Sequence, residues 1–396
     1  MELKWKSKEG EGMKKTVRNV LAILIVLVLC QTSITSEAVG TVFVDMATVS
    51  GNDAEMPDVI SENNIEIPST VSGNDASEQE LLPVSLFAEK TLYEKALSHE
   101  SIPIYAEGNI AYDVETTSDL QYCTVVPYLS ENPNGAAVVV FPGGGYSGLS
   151  AYTEGSVGEA QGIYTECYNE AGISVFVVYY RTTKISGEVN YKQILSDGTR
   201  AIRFIRANAE EFGIEEDKIG VLGYSAGGHL ATMMCTHWDW EIADSNYVPD
   251  EVDAVSARPD FGILSYPVAS LFLEQDGMFT APHYGTYKSF SSENGTINED
   301  IALKYSGENS VKTLDNFTQQ TPPIFIHANI YDSTVLSVAT LRMAEALEEA
   351  GIDYELHLFH TGDKQHAYSV GGNYANTKTW PELSVEFLES LDIVSD

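Results

Sequence analysis

The sequence predicts an α/β fold: a mostly parallel central sheet with helices on both faces. Three observations predict it. From about Leu81 onward, strand-like and helix-like segments alternate along the chain. The strand-like segments are unbroken apolar runs, the pattern of strands buried on both faces. The helical segments between them act as crossovers, which a parallel sheet requires and an antiparallel one does not. Right-handed crossovers then put helices on either side of the sheet, and ligand sites at the carboxyl ends of its strands.

The elements follow in order. Ala136–Phe141 (AAVVVF) is a strand that ends in Pro-Gly-Gly-Gly, and a helix over 155–171 closes at Gly172. Ser174–Tyr180 is the next strand. In the helix over 197–212, Ala201, Ile202, Ile205 and Phe212 recur at helical spacing. Ile219–Tyr224 is a strand and Ala226–His237 a helix; Phe261–Tyr266 and Ile324–Ile330 are strands. A helix over 335–350 stops at Gly351, Tyr354–Phe359 is the last strand, and a helix over 381–391 ends the pattern. Residues 269–320 break the alternation. They carry Phe272, Phe279, Tyr284, Tyr287 and Phe290 and a weak helix signal near 298–305. An irregular stretch this long at the active edge reads as a small cap-like insertion or as a solvated excursion with packing aromatics.

Two segments precede this domain. Lys14, Lys15 and Arg18 lead into the apolar run Val20–Leu29, with small and polar residues after it. That order predicts a secretory signal peptide over 1–38, since the run is about half of what a bilayer span needs. Residues 39–80 are acidic and rich in Ser, Asn and Gly, and Val-Ser-Gly-Asn-Asp-Ala occurs twice. Such a composition predicts a flexible linker. The domain is then 81–396, secreted or held at the cell surface, with no stable membrane association once the signal is removed.

With 22 basic and 58 acidic residues, a formal charge of −36 argues against nucleic acid or an anionic membrane as partner. Cys123, Cys167 and Cys235 lie beyond the signal, an odd and sparse set that forms no disulfide framework. No Cys or His pair has metal-site spacing, so neither a metal nor a cofactor is expected.

The chemistry sits at the strand ends. Gly223-Tyr224-Ser225-Ala226-Gly227 matches G-x-S-x-G, directly after a buried strand and at the opening of a helix. That context predicts a strained strand-to-helix turn with Ser225 as nucleophile. Pro142-Gly143-Gly144-Gly145-Tyr146 follows a strand, and its bare backbone can aim N–H groups at developing negative charge. Gly144, then Gly145, together with Ala226 at the helix start, are the expected oxyanion donors. Tyr146 and Tyr224 are expected substrate contacts. Asp332 follows the strand IFIHANI and is the expected acid, although it also precedes a helix and could serve as its cap. His366, on a loop, is preferred over the strand-terminal His360 as base, because a loop reaches across the strand ends more readily. His229 and His327 read as structural.

With these residues in place, the chain resembles the acetylesterases and carboxylesterases of the α/β-hydrolase superfamily, and most nearly the acetylxylan-esterase-like group. The stretches that carry the resemblance are VVVFPGGGYSGLS, DGTRAIRFIRANAEEFGI, KIGVLGYSAGGHLA, RPDFGILSYPV, TPPIFIHANIYDSTV and ELHLFHTGDKQHAYSV, within about 120–392. The resemblance implies the α/β-hydrolase fold, a triad of Ser225, Asp332 and His366, and an acyl-enzyme on Ser225. It further implies a small-molecule or carbohydrate ester as substrate, with acetyl groups on plant polysaccharides in view. A prolyl-oligopeptidase-like peptidase uses the same residue order, but the chain leaves no room for the large accessory domain. A binding protein on a degenerate hydrolase scaffold would have lost a triad residue type, and none is lost.

Overall fold

The computed structural model describes residues 90–114, 123–150, 165–183, 189–275, 278–293, 295–313, 321–362, 366 and 377–394. The chain divides into two units, Met1–Leu82 and Pro83–Asp396, and all described residues belong to the second. The expected signal peptide and linker lie outside them, as does most of the helix expected over 155–171.

Among the described residues, eight strands form the central sheet: β1 (Ile102–Pro103), β2 (Thr124–Tyr128), β3 (Ala137–Phe141), β4 (Ser174–Tyr179), β5 (Ile219–Tyr224), β6 (Gly262–Ser265), β7 (Ile324–Asn329) and β8 (Tyr354–Phe359). Their spatial order is β1-β2-β4-β3-β5-β6-β7-β8. β2 runs antiparallel to β1 and β4, and every other pairing is parallel. The α/β-hydrolase fold implied by the sequence is thus the fold observed. β1 and β2 were not among the expected elements. β2 is only five residues long and contains Pro127, which cannot donate to a ladder and disguises a strand.

The helices are α1 (Leu92–Leu97), α2 (Thr165–Glu170), α3 (Tyr191–Ala207), α4 (Ala209–Phe212), α5 (Ala226–Thr236), α6 (Tyr284–Ser291), α7 (Glu299–Lys304), α8 (Gly307–Thr313), α9 (Val338–Ala350) and α10 (Trp380–Ser390). They explain why the strands are apolar throughout. On one face Val139, Phe141 and Val221 join a core with Ile194 and Ile202 of α3, Leu230 of α5 and Met343 of α9. On the other, Val138, Val140 and Leu222 join Tyr168 of α2 and Trp380 and Leu388 of α10. Successive residues of one strand point to opposite faces, so both parities must be apolar. Each such side chain contributes roughly 1.5–3 kcal/mol on burial.

α3 begins six residues before the expected start at 197. Asn190 accepts from the Lys192 N–H, and the Gln193 side chain accepts from the Asn190 N–H, which makes a reciprocal cap. α9 ends where expected, at Gly351 in the left-handed region (φ 68°).

The insertion contains two short hairpins, 273–275 with 278–280 and 292–293 with 296–297, and helices α6, α7 and α8. The weak signal near 298–305 is α7, capped by Asn298. Phe290 is fully buried against Tyr146 and His229, Phe272 stacks on Tyr287 at 5.5 Å, and Tyr284 is exposed. The insertion therefore has its own anchorage in the core and also reaches the sheet edge where the chemical motifs lie. Among the described residues, no helix is long and apolar enough to cross a membrane.

Candidate active site

β5 delivers the chain to Ser225, and α5 starts at the next residue. Ser225 holds φ 57° and ψ −121°, a conformation L residues rarely adopt. Its surroundings enforce it. The Ser225 N–H donates to Ser265 O at 3.2 Å, and its carbonyl accepts from the N–H groups of His229 (3.2 Å) and Val268 (2.9 Å). The flanking glycines are sterically required. A Cβ on Gly227 would overlap the Phe141 carbonyl, and one on Gly223 would overlap the Gly227 carbonyl. Strain at Ser225 persists because packing over-determines the turn.

Asp332 lies beyond β7, and His366 on the loop after β8. The His366 Nδ1 stands 2.6 Å from Asp332 Oδ2, and its Nε2 stands 3.0 Å from Ser225 Oγ. A carboxylate only accepts, so Nδ1–H donates to Asp332 and Nε2 is left to accept from the serine hydroxyl. The Asp332 side chain is 2% exposed and that of His366 16%. The other Asp332 oxygen, Oδ1, accepts from the N–H groups of Thr334 (2.8 Å) and Val335 (2.9 Å). The geometry accommodates both expectations for Asp332: one oxygen faces His366 and the other closes the turn. His360 is exposed, edge-on to Tyr331, and is not bonded to Ser225.

The glycine loop faces this chain of residues. Gly143, Gly144 and Gly145 line the same cleft of about 340 Å³ as Ser225 and His366. Gly144 has φ 127°, and a Cβ there would overlap the Gly148 carbonyl. The loop is held by its own carbonyls. Gly144 O accepts from the Ser147 N–H, Gly143 O from the Ser150 N–H, and Pro142 O from the Tyr180 hydroxyl. Among the described residues the N–H groups of Gly144, Gly145 and Ala226 meet no acceptor, so they remain available to one. Ala226 supplies the first N–H of α5, where the helix dipole favours negative charge.

Two expected substrate contacts fare differently. Tyr224 lines the cleft. Tyr146 does not, and the expectation for it is corrected: its side chain is fully buried. With φ 58° it turns into the core, where its hydroxyl donates to His229 Nδ1 at 2.8 Å. The His229 Nε2–H donates to Tyr305 O at 2.8 Å, so this histidine ties the glycine loop to the insertion. Burial pushes the His229 imidazole down to about 4 and keeps it neutral. His327, likewise fully buried, stacks on Trp380.

The cleft also has lining residues that the sequence reading missed. Tyr266 (φ 34°) stands edge-on to His366 at 5.1 Å. His283 and Gly285 come from the insertion. His283 is the N-cap of α6, its Nδ1 accepting from the Thr286 N–H at 3.1 Å. The pattern His-Tyr-Gly-Thr before an aromatic helix was the available signal. Burial, reinforced by the neighbouring His366, lowers the His283 imidazole below the usual histidine range.

Comparison with known proteins finds relatives of this chain. The BD-FAE family model matches residues 127–347, more than half of the chain. Endo-1,4-beta-xylanase B of Butyrivibrio fibrisolvens is 35% identical over 250 residues, 61% of this chain and 35% of that protein. An acetylxylan esterase of Xylanibacter ruminicola is 29% identical over 277 residues, 69% of this chain and 48% of that protein. The chain thus spans half or less of the length of these two relatives. Among solved structures, an acetyl ester-xyloside bifunctional hydrolase from Caldicellulosiruptor lactoaceticus superposes with a TM-score of 0.60 at 29% identity, covering 75% of this chain and 98% of that one.

Proposed function

The chain belongs to the BD-FAE family, and on that footing we propose that it is a secreted serine esterase that removes short acyl groups, acetyl above all, from plant polysaccharides or their oligosaccharides. One observation carries the reading: the unbroken Asp332–His366–Ser225 chain, at 2.6 and 3.0 Å, opposite a glycine loop in one cleft. Its similarity to a xylanase and to an acetylxylan esterase supports the substrate class. In this reading 1–38 exports the protein, 39–80 is a spacer, and 81–396 is the catalytic domain. Export suits a polymer substrate that stays outside the cell.

The steps follow from the geometry. Ser225 Oγ attacks the ester carbonyl as its proton passes to His366 Nε2. Asp332 holds the ring in the tautomer that can accept and stabilises the imidazolium. The carbonyl oxygen becomes an oxyanion, met by the N–H groups of Gly144, Gly145 and Ala226, each worth about 3–4 kcal/mol. His366 then protonates the departing alcohol oxygen, leaving an acyl group on Ser225. Water, deprotonated by the same nitrogen, attacks that acyl-enzyme and releases the acid.

The test is acetate release from acetylated xylan by the wild type and by Ser225→Ala, with mass spectrometry of the Ser225 peptide after rapid quench. The expected result is activity and a transient acetyl adduct in the wild type, and neither in the variant. Equal acetate release by both proteins, or cleavage of peptides in preference to esters, overturns the proposal.

A further inference from the structure

His283 is a second histidine in the cleft, and the steps above leave it unused. Its Nδ1 is engaged twice, by the Thr286 N–H at 3.1 Å and by the Thr286 hydroxyl at 2.7 Å. A backbone N–H can only donate, so Nδ1 accepts and the single ring proton of the neutral imidazole sits on Nε2. That is the opposite of His366, whose Nε2 accepts. His283 therefore offers the cleft a hydrogen-bond donor of fixed position and cannot act as a base. Among the described residues no acceptor meets this Nε2.

Its location says what the donor faces. A Cβ on Gly145 would stand 3.3 Å from His283 Cε1, and one on Gly285 would stand 3.1 Å from the same atom. The ring thus lies between the glycine loop and the start of α6. Ser147 and Gly285 also line a second groove of about 1010 Å³, bordered by Asn190, Gln193 and Lys288. An acyl group bound for Ser225 must occupy the 340 Å³ cleft. The larger groove offers the alcohol portion room on the side of Ser147 and Gly285, next to His283.

We infer that His283 is a specificity-determining residue on the alcohol side, whose Nε2–H donates to a hydroxyl or ring oxygen of the sugar that carries the scissile ester. The inference rests on the esterase reading and narrows it: the preferred substrate is an ester of a polyol rather than of a simple alkyl or aryl alcohol. A site built around such a donor discriminates against alcohols that have no oxygen to receive it.

The cap and the donor can be separated by mutation. In His283→Asn the side-chain oxygen can still cap α6, but nothing reaches the Nε2 position. In His283→Gln the longer amide restores an N–H near that position. Each variant is assayed on an acetylated xylo-oligosaccharide and on 4-nitrophenyl acetate, with Tm measured alongside. For His283→Asn, kcat/KM on the sugar ester falls about tenfold, mainly through KM, while the aryl ester changes less than twofold. His283→Gln recovers most of that loss. An equal fall on both substrates, no fall on the sugar ester, or a Gln variant no better than the Asn variant overturns the inference while leaving the esterase reading intact. A wild type that hydrolyses the aryl ester and is inert toward the sugar ester overturns both the inference and the proposed substrate class.

Discussion

Asp332 serves two structures with two oxygens, and substitutions can tell them apart. Oδ2 receives His366, and Oδ1 receives the N–H groups of Thr334 and Val335. In Asp332→Asn the amide oxygen still closes the turn, but an NH₂ group then faces Nδ1 and forces the wrong tautomer. We expect kcat to fall about 10⁴-fold with little change in Tm, following the triad logic. Asp332→Ala loses the turn as well, so its Tm should also drop, as stability falls by about 1 kcal/mol for the lost cap. Steady-state kinetics and thermal melts on the two variants check the division, and a normal kcat for Asp332→Asn would refute it. At this scale the sequence was most legible where chemistry restricts the residue type. Ser225, Asp332 and His366, which the structure joins by contacts of 2.6 and 3.0 Å, could be singled out because few side-chain types suit such a hydrogen-bonded chain. Tyr146 could not be read correctly. Whether a residue after a glycine loop points into the cleft or the core depends on a backbone sign, here φ 58°, that composition does not reveal. His283 escaped because it stands in a stretch without periodicity.

Elements were legible when their period was long or their burial complete. β5 matches its expected bounds because a fully buried apolar run between turns has one reading, and the half-exposed β8, whose Glu355 and His357 alternate with apolar residues, matches through its period of two. The start of α3 was misplaced although Tyr191, Ile194 and Leu195 stand at helical spacing and the Asn190–Gln193 cap marks where the helix begins. α3 also carries Asp197, whose side chain is fully buried with that of Arg181 only 1% exposed. Arg181 donates to both Asp197 oxygens and to the carbonyls of Tyr112 and Ala111, joining the segment before β2 to the end of β4. Removing one partner strands a buried charge, so Asp197→Ala should lose about 3–5 kcal/mol in chemical denaturation. An apolar pair at both positions should recover much of that. The elbow is a second element-level test. Gly227→Ala brings a methyl group into the Phe141 carbonyl. It should lower both activity and stability, as packing that holds Ser225 in its strained turn gives way. A Gly227→Ala protein with wild-type kinetics would contradict the crowding.

Across the whole molecule, acid stability sets two effects against each other. The chain carries 58 acidic and 22 basic residues, so self-repulsion weakens as pH falls toward the carboxylate range. The buried histidines push the other way. His229 and His237 are held down to about 4, chiefly by burial, and burial also lowers His327 well below the usual histidine range. Between pH 6.5 and 4 the unfolded chain binds protons on these rings while the folded chain does not, so stability rises with pH and is lost on acidification. For His229 alone the loss approaches about 3 kcal/mol by pH 4. The repulsion acts over distances that salt screens, with a Debye length of about 8 Å at 0.15 M, whereas the buried rings are out of its reach. At 0.15 M salt the histidines therefore dominate: Tm should fall by several degrees between pH 6.5 and 4.5, and lowering the salt should flatten the fall. His229→Gln, which keeps an amide N–H for the Tyr305 carbonyl but does not titrate, should also reduce the slope. Calorimetry across pH and salt measures each part, and a Tm that holds or climbs toward pH 4.5 at 0.15 M salt would show that charge repulsion, not histidine burial, governs the acid limb.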